Sequence, residues 1–400
     1  VLPRRHAHLP KHRMMIQKSF MLVLGLAMGH LALCQVNIQM ISGMDGVLLL
    51  EDGSTTNYWG YGYDGPGGGL EMPAPLIELE VGDDVELSFN NVSAEAHTIH
   101  LHGMDVNQAN DGVPSTSFQV FQNQSGTYTF TATEPGTYLY HCHVTTTLHL
   151  TMGMYGMIIV HEQTPVLFAG GPGFSNEYAF LFSDLEVAVN DVPTAAFPFH
   201  DIDPDYFMVN GLQGEMITSD PSQTIAAHAG DSIALRLGSM AYSKIQMHFP
   251  SALNAVVYMS DGRVLPQEIT TNDLEIYPGE RFSVMCYPTG DFAQPIEVEY
   301  VDMLSGEIEH ANMILINNLD IGIQEQEDVS KLVIFPNPTS GLVHFESMRD
   351  SHLDFYNAQG KRLYRCRVNK GANRIDLGFL GSGIFLVRDD RNIKGSIIMD

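Results

Sequence analysis

Between Lys18 and Arg236 this chain contains no lysine and no arginine, although aspartate and glutamate are scattered throughout and the formal charge is −27. Phosphate binding needs clustered basic side chains, so the gap excludes nucleic acid as a partner. The acidic balance favours solubility and cationic or neutral partners, and suits a saline medium equally well, but says nothing about fold. Cysteine is scarce too. The four present are Cys34 in an apolar leader, Cys142 among histidines, Cys286 on a predicted strand and Cys366 in the tail. That scatter is not a disulfide framework, and nothing in the spacing recommends a Cys286–Cys366 bridge. Long stretches with a 3.6-residue period are also missing, which argues against a helical fold.

What is present begins with an apolar run, FMLVLGLAMGHLALC, preceded by Lys18. It is too short and too early for a spanning helix, and residues 15–34 read as a secretory signal with cleavage after Ala32-Leu33-Cys34. A lipid anchor on Cys34 is the alternative, disfavoured by Leu33 just before it. Residues 1–13 precede Met14 and Met15 and are expected to be an upstream extension, so His6, His8 and His12 are not ligand candidates. At the far end an acidic linker, IGIQEQEDVS within 319–330, gives way to a basic tail with Lys361, Arg362, Arg365, Arg367, Lys370 and Arg374. The tail is written in short alternating strands and turns: FPNP, YNAQGK, LGSGIFLV. Over 331–400 it resembles the C-terminal sorting domain that directs cargo through type IX secretion machinery. The resemblance implies a small β-sandwich that serves as an address and takes no part in catalysis, and a protein that is extracellular or attached to the cell surface.

Residues 35–318 hold many short runs of Val, Ile, Thr, Tyr and Phe separated by Gly, Asp, Asn and Pro, the pattern of β-sandwiches or barrels. PLIELEVGDDVELSFNNVSAEAHTIHLHG is echoed by QTIAAHAGDSIALRLGSMAYSKIQMHFP, which points to a duplicated domain with its boundary near Thr164–Gly173. The expected domains are therefore 35–165 and 170–318.

Two segments carry chemistry. One is His97-Thr98-Ile99-His100-Leu101-His102-Gly103; the other is His141-Cys142-His143, followed by His149 and Met154. Side chains alternate along a strand, so His100 and His102 share a face, as do His141 and His143, while Cys142 points the other way. Parity thus divides the residues into two metal sites. A thiolate, two imidazoles and a weak axial thioether are the ligand set of blue copper. Cys142, His149 and Met154 fall in one loop and His97 comes from the neighbouring strand; Met152 competes with Met154 for the axial place.

HTIHLHG, then NDGVP, then GTYLYHCHVTTTLHLTMGMYG, resembles the plastocyanin-like domains of multicopper oxidases. The resemblance extends more faintly through the second domain to about residue 318. It implies an all-β chain: two tandem cupredoxin-like Greek-key β-sandwich domains followed by the small sorting sandwich. It also implies type 1 copper on His97, Cys142, His149 and Met154, and type 2/type 3 copper on His100, His102, His141 and His143. The full cluster of that family takes eight imidazoles from two domains, and this chain offers four. The internal repeat sets Gln246 and His248 opposite His100 and His102, and Glu299–Asp302 opposite the His-Cys-His strand. The second domain is expected to lack its own copper, and His161, His200, His228 and His310 read as surface or structural residues.

Three functions follow. An oxidase would take electrons from a small molecule or redox protein at type 1 copper and reduce dioxygen at the second site, with Asp111 as a proton relay. The second site would be completed in a homo-oligomer, a trimer by preference, through His248 of the partner subunit or by pairing of first domains. A nitrite-reductase-like enzyme would need one copper on His102, His141 and His248 of the partner subunit, leaving His100 and His143 without a role. An electron carrier or copper-binding protein would turn nothing over.

Overall fold

The computed structural model describes residues 35–65, 68–196, 202–290 and 294–317 in one unit, and 334–335, 342–347, 350–356, 362–380, 383–389 and 393–399 in another. The leader, the linker and His200 lie outside the described residues. Strands make up nearly all the regular structure, and no helix among the described residues is long and apolar enough to cross a membrane.

The first domain comprises β1 (Gln35–Leu49), β2 (Thr55–Tyr63), β3 (Ile77–Glu80), β4 (Asp84–Asn91), β5 (His100–His102), β6 (Ser125–Thr131), β7 (Gly136–His141), helix α1 (Thr146–Thr151) and β8 (Tyr155–His161). One sheet runs β2-β1-β4-β6 and the other β3-β8-β7-β5. Period-two patterning drives the sandwich: β4 alternates strictly, burying Val85, Leu87 and Phe89 against Leu79, Leu101, Tyr140 and Ile158 of the facing sheet.

The second domain comprises β9 (Asn176–Leu185), β10 (Tyr206–Val209), β11 (Leu212–Gln213), β12 (Ile225–Ala226), β13 (Ile233–Ser239), β14 (Lys244–His248), β15 (Ala255–Ser260), β16 (Arg263–Thr270), β17 (Asp273–Ile276), β18 (Arg281–Cys286), β19 (Ile296–Val301), β20 (Ile308–Ile314) and β21 (Ile316–Asn317). A seven-stranded sheet, β11-β10-β9-β13-β18-β15-β16, faces β17-β14-β19-β20 across a core containing Leu235, Ile245, Val284 and Tyr300. The duplication is visible in the pairing. A parallel pair followed by an antiparallel neighbour recurs as β1-β4-β6 and β9-β13-β18, and the antiparallel run β5-β7-β8 recurs as β14-β19-β20.

β7 and β8 are buried on both faces. Tyr138, Tyr140, Ile158 and Val160 enter the first core, while Leu139, Met157 and Ile159 form a separate cluster with Leu181 and Met240 of the second domain. A strand with no face in water reads as a continuous apolar run, which is what YLYH and YGMIIV are. Polar contacts join the same seam: Thr137 Oγ1 lies 3.1 Å from Ser283 Oγ, and fully buried Arg236 donates from Nε to Glu177 at 2.8 Å, whose other oxygen takes His161 Nε2 at 2.7 Å.

The separate C-terminal unit has a three-stranded sheet (Ile334–Phe335, Leu342–Ser347, Gly371–Asp376) and a four-stranded one (Arg362–Val368, Ser351–Tyr356, Gly383–Asp389, Ile393–Met399). Val343, Leu353, Phe355, Val368, Leu377, Phe385 and Val387 form its core. Cys142, Cys286 and Cys366 are all free thiols.

Candidate metal centre

His97 is placed by a two-way backbone bridge with Val120, Cys142 by donation from its N–H to Met154 O at 3.1 Å, and His149 by α1, whose next turn returns Met154 N–H to His149 O at 2.9 Å. Three ligand atoms converge: Cys142 Sγ lies 3.0 Å from His149 Nδ1 and 3.7 Å from His97 Nδ1, and the two nitrogens are 3.3 Å apart. A triangle with these edges has its centre about 2 Å from each corner, the length of a metal–imidazole bond. All three residues are fully buried.

The outer ring nitrogens fix which lone pairs face inward. Ser93 Oγ gives its hydrogen to Asn91 Oδ1 at 2.7 Å and so accepts from His97 Nε2 at 2.6 Å. His149 Nε2 donates to Glu95 Oε2 at 3.2 Å. Each Nδ1 is left as a free donor pair aimed at the thiol. Burial, then the neighbouring His149 ring, lowers His97 to about 3; burial also lowers His149 against the pull of Glu95. Burial raises the Cys142 thiol, so it keeps its proton until a metal cation takes that place. Met152 and Met154 are both fully buried in this core, but Met154 is hydrogen-bonded to Cys142 whereas Met152 O accepts from Trp59 N–H. Trp59 sets its ring edge-on to His149 at 5.3 Å between centroids.

The second group lies on the other side of the same strand. His100 and His141 are directly paired across β5 and β7. One ring nitrogen from each of His100, His102 and His141 falls within 4.8 Å of the others, and His102 Nδ1 lies 3.2 Å from His141 Nε2. The His143 ring stands beside them, 5.2 Å from the His100 ring and 6.1 Å from that of His141. His141 Nδ1 donates to Cys142 O at 2.9 Å, which turns Nε2 into the cluster. His100 Nδ1 donates to Asp111 O at 2.7 Å, with Asp111 Oδ1 at 3.3 Å. Burial lowers His141 to about 3, and burial followed by the charge of Arg281 lowers His102 to about 4. The His102 and His141 rings are therefore neutral at ordinary pH.

The second domain repeats the scaffold without the ligands. Gln246 pairs with Glu299 on β14 and β19, as His100 pairs with His141 on β5 and β7. His248 is not gathered with the cluster. Its Nδ1 lies 2.6 Å from Asp273 Oδ1 and its Nε2 3.1 Å from Glu299 Oε2, both within its own sheet. Burial works against the charge of His248, but the hydrogen bonds to Glu299 and Asp273 prevail and raise its pKa. His161 pairs with Glu177, and His310 stacks on Phe207 at 5.1 Å. Ser93 and Glu95 stand in the loop leading to His97, yet nothing in the sequence distinguishes them from other polar loop residues.

A soft three-ligand site in one of two tandem cupredoxin-like sandwiches defines a copper-protein scaffold with a second imidazole site behind it. Residues 64–165 match the multicopper oxidase family model, and residues 333–398 match the secretion system C-terminal sorting domain. These two segments are thus similar to a multicopper oxidase domain and a sorting domain. It is 25% identical over 236 residues to a copper-containing nitrite reductase of Neisseria meningitidis, covering 56% of this chain and 55% of that protein. It is 35% identical over 114 residues to copper resistance protein A of Escherichia coli, covering 28% of this chain and 18% of that one. Among solved structures, the blue copper oxidase of Nitrosomonas europaea superposes with a TM-score of 0.59 at 25% identity, over 72% of this chain and 87% of its own. The chain spans about half the length of the nitrite reductases it matches.

Proposed function

We propose that the chain is an exported copper oxidoreductase of the multicopper oxidase type, oxidising a donor one electron at a time and reducing dioxygen. His97, Cys142 and His149, with Met154 as axial thioether, would hold type 1 copper; His100, His102, His141 and His143 would hold type 2/type 3 copper. The observation that carries this reading is the double use of Cys142. Its Sγ closes the first triangle and its carbonyl oxygen binds the His141 ring of the second group. Copper at the first site supplies a one-electron acceptor, and at the second a centre for reducing a small oxidant. The protein joins the two by a single residue. It keeps the His97, His102 and His141 imidazoles neutral by burial, and sets the Asp111 carboxylate against His100, at the edge of the cluster, as a proton relay.

Four imidazoles are half of what a trinuclear centre uses, and the chain's own His248 is engaged elsewhere. The site is therefore completed where copies meet, in a trimer, with export through type IX machinery supported by the sorting-domain match at 333–398. The donor is a small molecule or a redox protein.

A nitrite-reductase-like enzyme is the second reading. It is favoured by the long match to such enzymes and by the ligand atoms of His100, His102 and His141, which gather without His143. Copper content and spectra of the purified protein decide. Four coppers per first domain, a near-ultraviolet type 3 band and oxygen uptake support the oxidase. Two coppers with nitrite turnover replace it with the second reading, and a lone blue copper without turnover reduces the protein to a carrier.

A further inference from the structure

His149 is carried by α1, and little inside that helix explains why it forms. It has six residues, and Thr145 at its head sits at φ 42° with no side-chain bond to the first turn. A helix so short is unstable alone and takes its place from what packs against it. The second domain supplies the support. Thr151 Oγ1 gives its hydrogen to Thr147 O at 2.8 Å and so accepts from Tyr242 OH at 2.8 Å. Leu150, between His149 and Thr151, packs on the interdomain cluster to which Met240 belongs. Met240 and Tyr242 lie in the short link from β13 to β14, and that link is itself clamped to β9. Met240 N–H donates to Phe182 O at 2.8 Å, and Tyr242 N–H to Asp184 Oδ1 at 2.8 Å. Ser243 donates to Asp184 Oδ2 twice, from N–H at 2.9 Å and from Oγ at 2.8 Å. Asp184 is 4% exposed, so its carboxyl is tolerated only while donors surround it, and these three donors all come from the link.

We propose that Tyr242, fixed by Asp184, is a positioning residue for His149: the second domain, which lends the first site no ligand, sets the angle at which that imidazole meets a copper. This rests on the reading of His97, Cys142 and His149 as a type 1 site. His149 Nδ1 lies 3.0 Å from Cys142 Sγ on the inner side of α1, so a slight turn of the helix swings the ring out of the triangle. Groups that orient a ligand from outside govern both the hold on the metal and its spectrum. The test uses the full chain, loaded once with copper and once with cobalt(II), whose sulfur charge-transfer and ligand-field bands report geometry without a redox change. Tyr242→Phe keeps the ring and removes the hydroxyl. It should shift the blue band, the copper hyperfine splitting and the cobalt bands, and release copper from the first site to a chelator severalfold faster. Copper on the histidine cluster should stay. Thr151→Val breaks the same bond from the helix side and should match it, whereas Thr151→Ser keeps the acceptor and should leave the spectra as in the parent chain. Asp184→Asn turns an amide donor towards the link's own donors and should reproduce the Tyr242→Phe spectra. A tyrosine that only stabilised the seam would lower the unfolding midpoint in Tyr242→Phe without moving these bands, and that result overturns the proposal. So does a Thr151→Ser spectrum as altered as that of Thr151→Val. An unsubstituted chain that takes up copper without a blue band refutes the type 1 reading beneath the proposal, and is recognised before any variant is made.

Discussion

Cys142 serves two neighbourhoods with different atoms, and the substitutions that separate them are conservative. Cys142→Ser keeps the carbonyl and removes the sulfur, so it should abolish the intense blue absorption while copper stays on the histidine cluster; visible and paramagnetic spectra read both. His100→Ala and His143→Ala should do the reverse, keeping the colour and losing oxygen reduction in an oxygen-electrode assay. Glu95 touches the first site from outside. Its carboxylate on His149 Nε2 favours the more positive oxidised state, so Glu95→Gln should raise the reduction potential. Trading a charge-assisted bond for a neutral one is worth about 1 kcal/mol, roughly 40 mV for a one-electron couple, readable by redox titration of the blue band. Much of this scale was legible beforehand. Alternation along two short strands separates Cys142 from its flanking rings, because period two is a local property of backbone. Ser93, Glu95 and Trp59 were not legible, since their partners are chosen by how loops fold over the sandwich. Arg281 meets His102 from more than 170 positions away, and no local pattern announces it.

The strands show the same division between local and distant causes. The Gly-Asp turn followed by an alternating strand, repeated in both domains, predicts the pairs of equivalent strands, and the register of β14 on β19 sets Gln246 against Glu299. The two-sided burial of β7 and β8 depends on a partner domain, and only their unbroken apolar text hints at it. That seam contains buried Arg236 with half-buried Glu177 and His161. Burial alone pushes Glu177 up, but Arg236 and then His161 more than reverse this and bring it down to about 2. A carboxyl held below its ordinary 4.5 contributes stability that is complete above that value and lost as pH falls through about 2. Glu177→Gln should therefore cost about 3 kcal/mol at neutral pH, by stranding a buried guanidinium, and flatten the loss of stability between those pH values. Urea unfolding at pH 7 and pH 3 measures both effects.

The whole molecule is divided by charge. From residue 35 to 235 there is no lysine or arginine, and within residues 35–317 cations reach the first domain from the second: Arg263 pairs with Asp105 at 2.7 Å, and Arg281 lies beside Gly103. The acidic balance and the basic tail were readable from composition. How many copies assemble was not, because half a ligand set fits more than one symmetry. For the trimer we expect a sedimentation mass of three chains that falls on dilution. The dissociated chains should release copper from the histidine cluster while retaining their blue colour. A chain that stays monomeric with its full copper complement would remove the need for assembly.

The absence of a solvent face on β7 has a further consequence. Cys142 directly follows a strand whose opposite surface is moulded by the second domain, down to Gly238, where one added methyl would come 3.1 Å from Met157 Cε and 3.2 Å from Leu139 Cδ2. The ligand field of a copper held by Cys142 and the fit between the domains would therefore be a single mechanical setting. The hue of the protein becomes a gauge of interdomain register: a slight misfit introduced at position 238, far from any ligand, should register as a change of colour before it registers as a loss of fold.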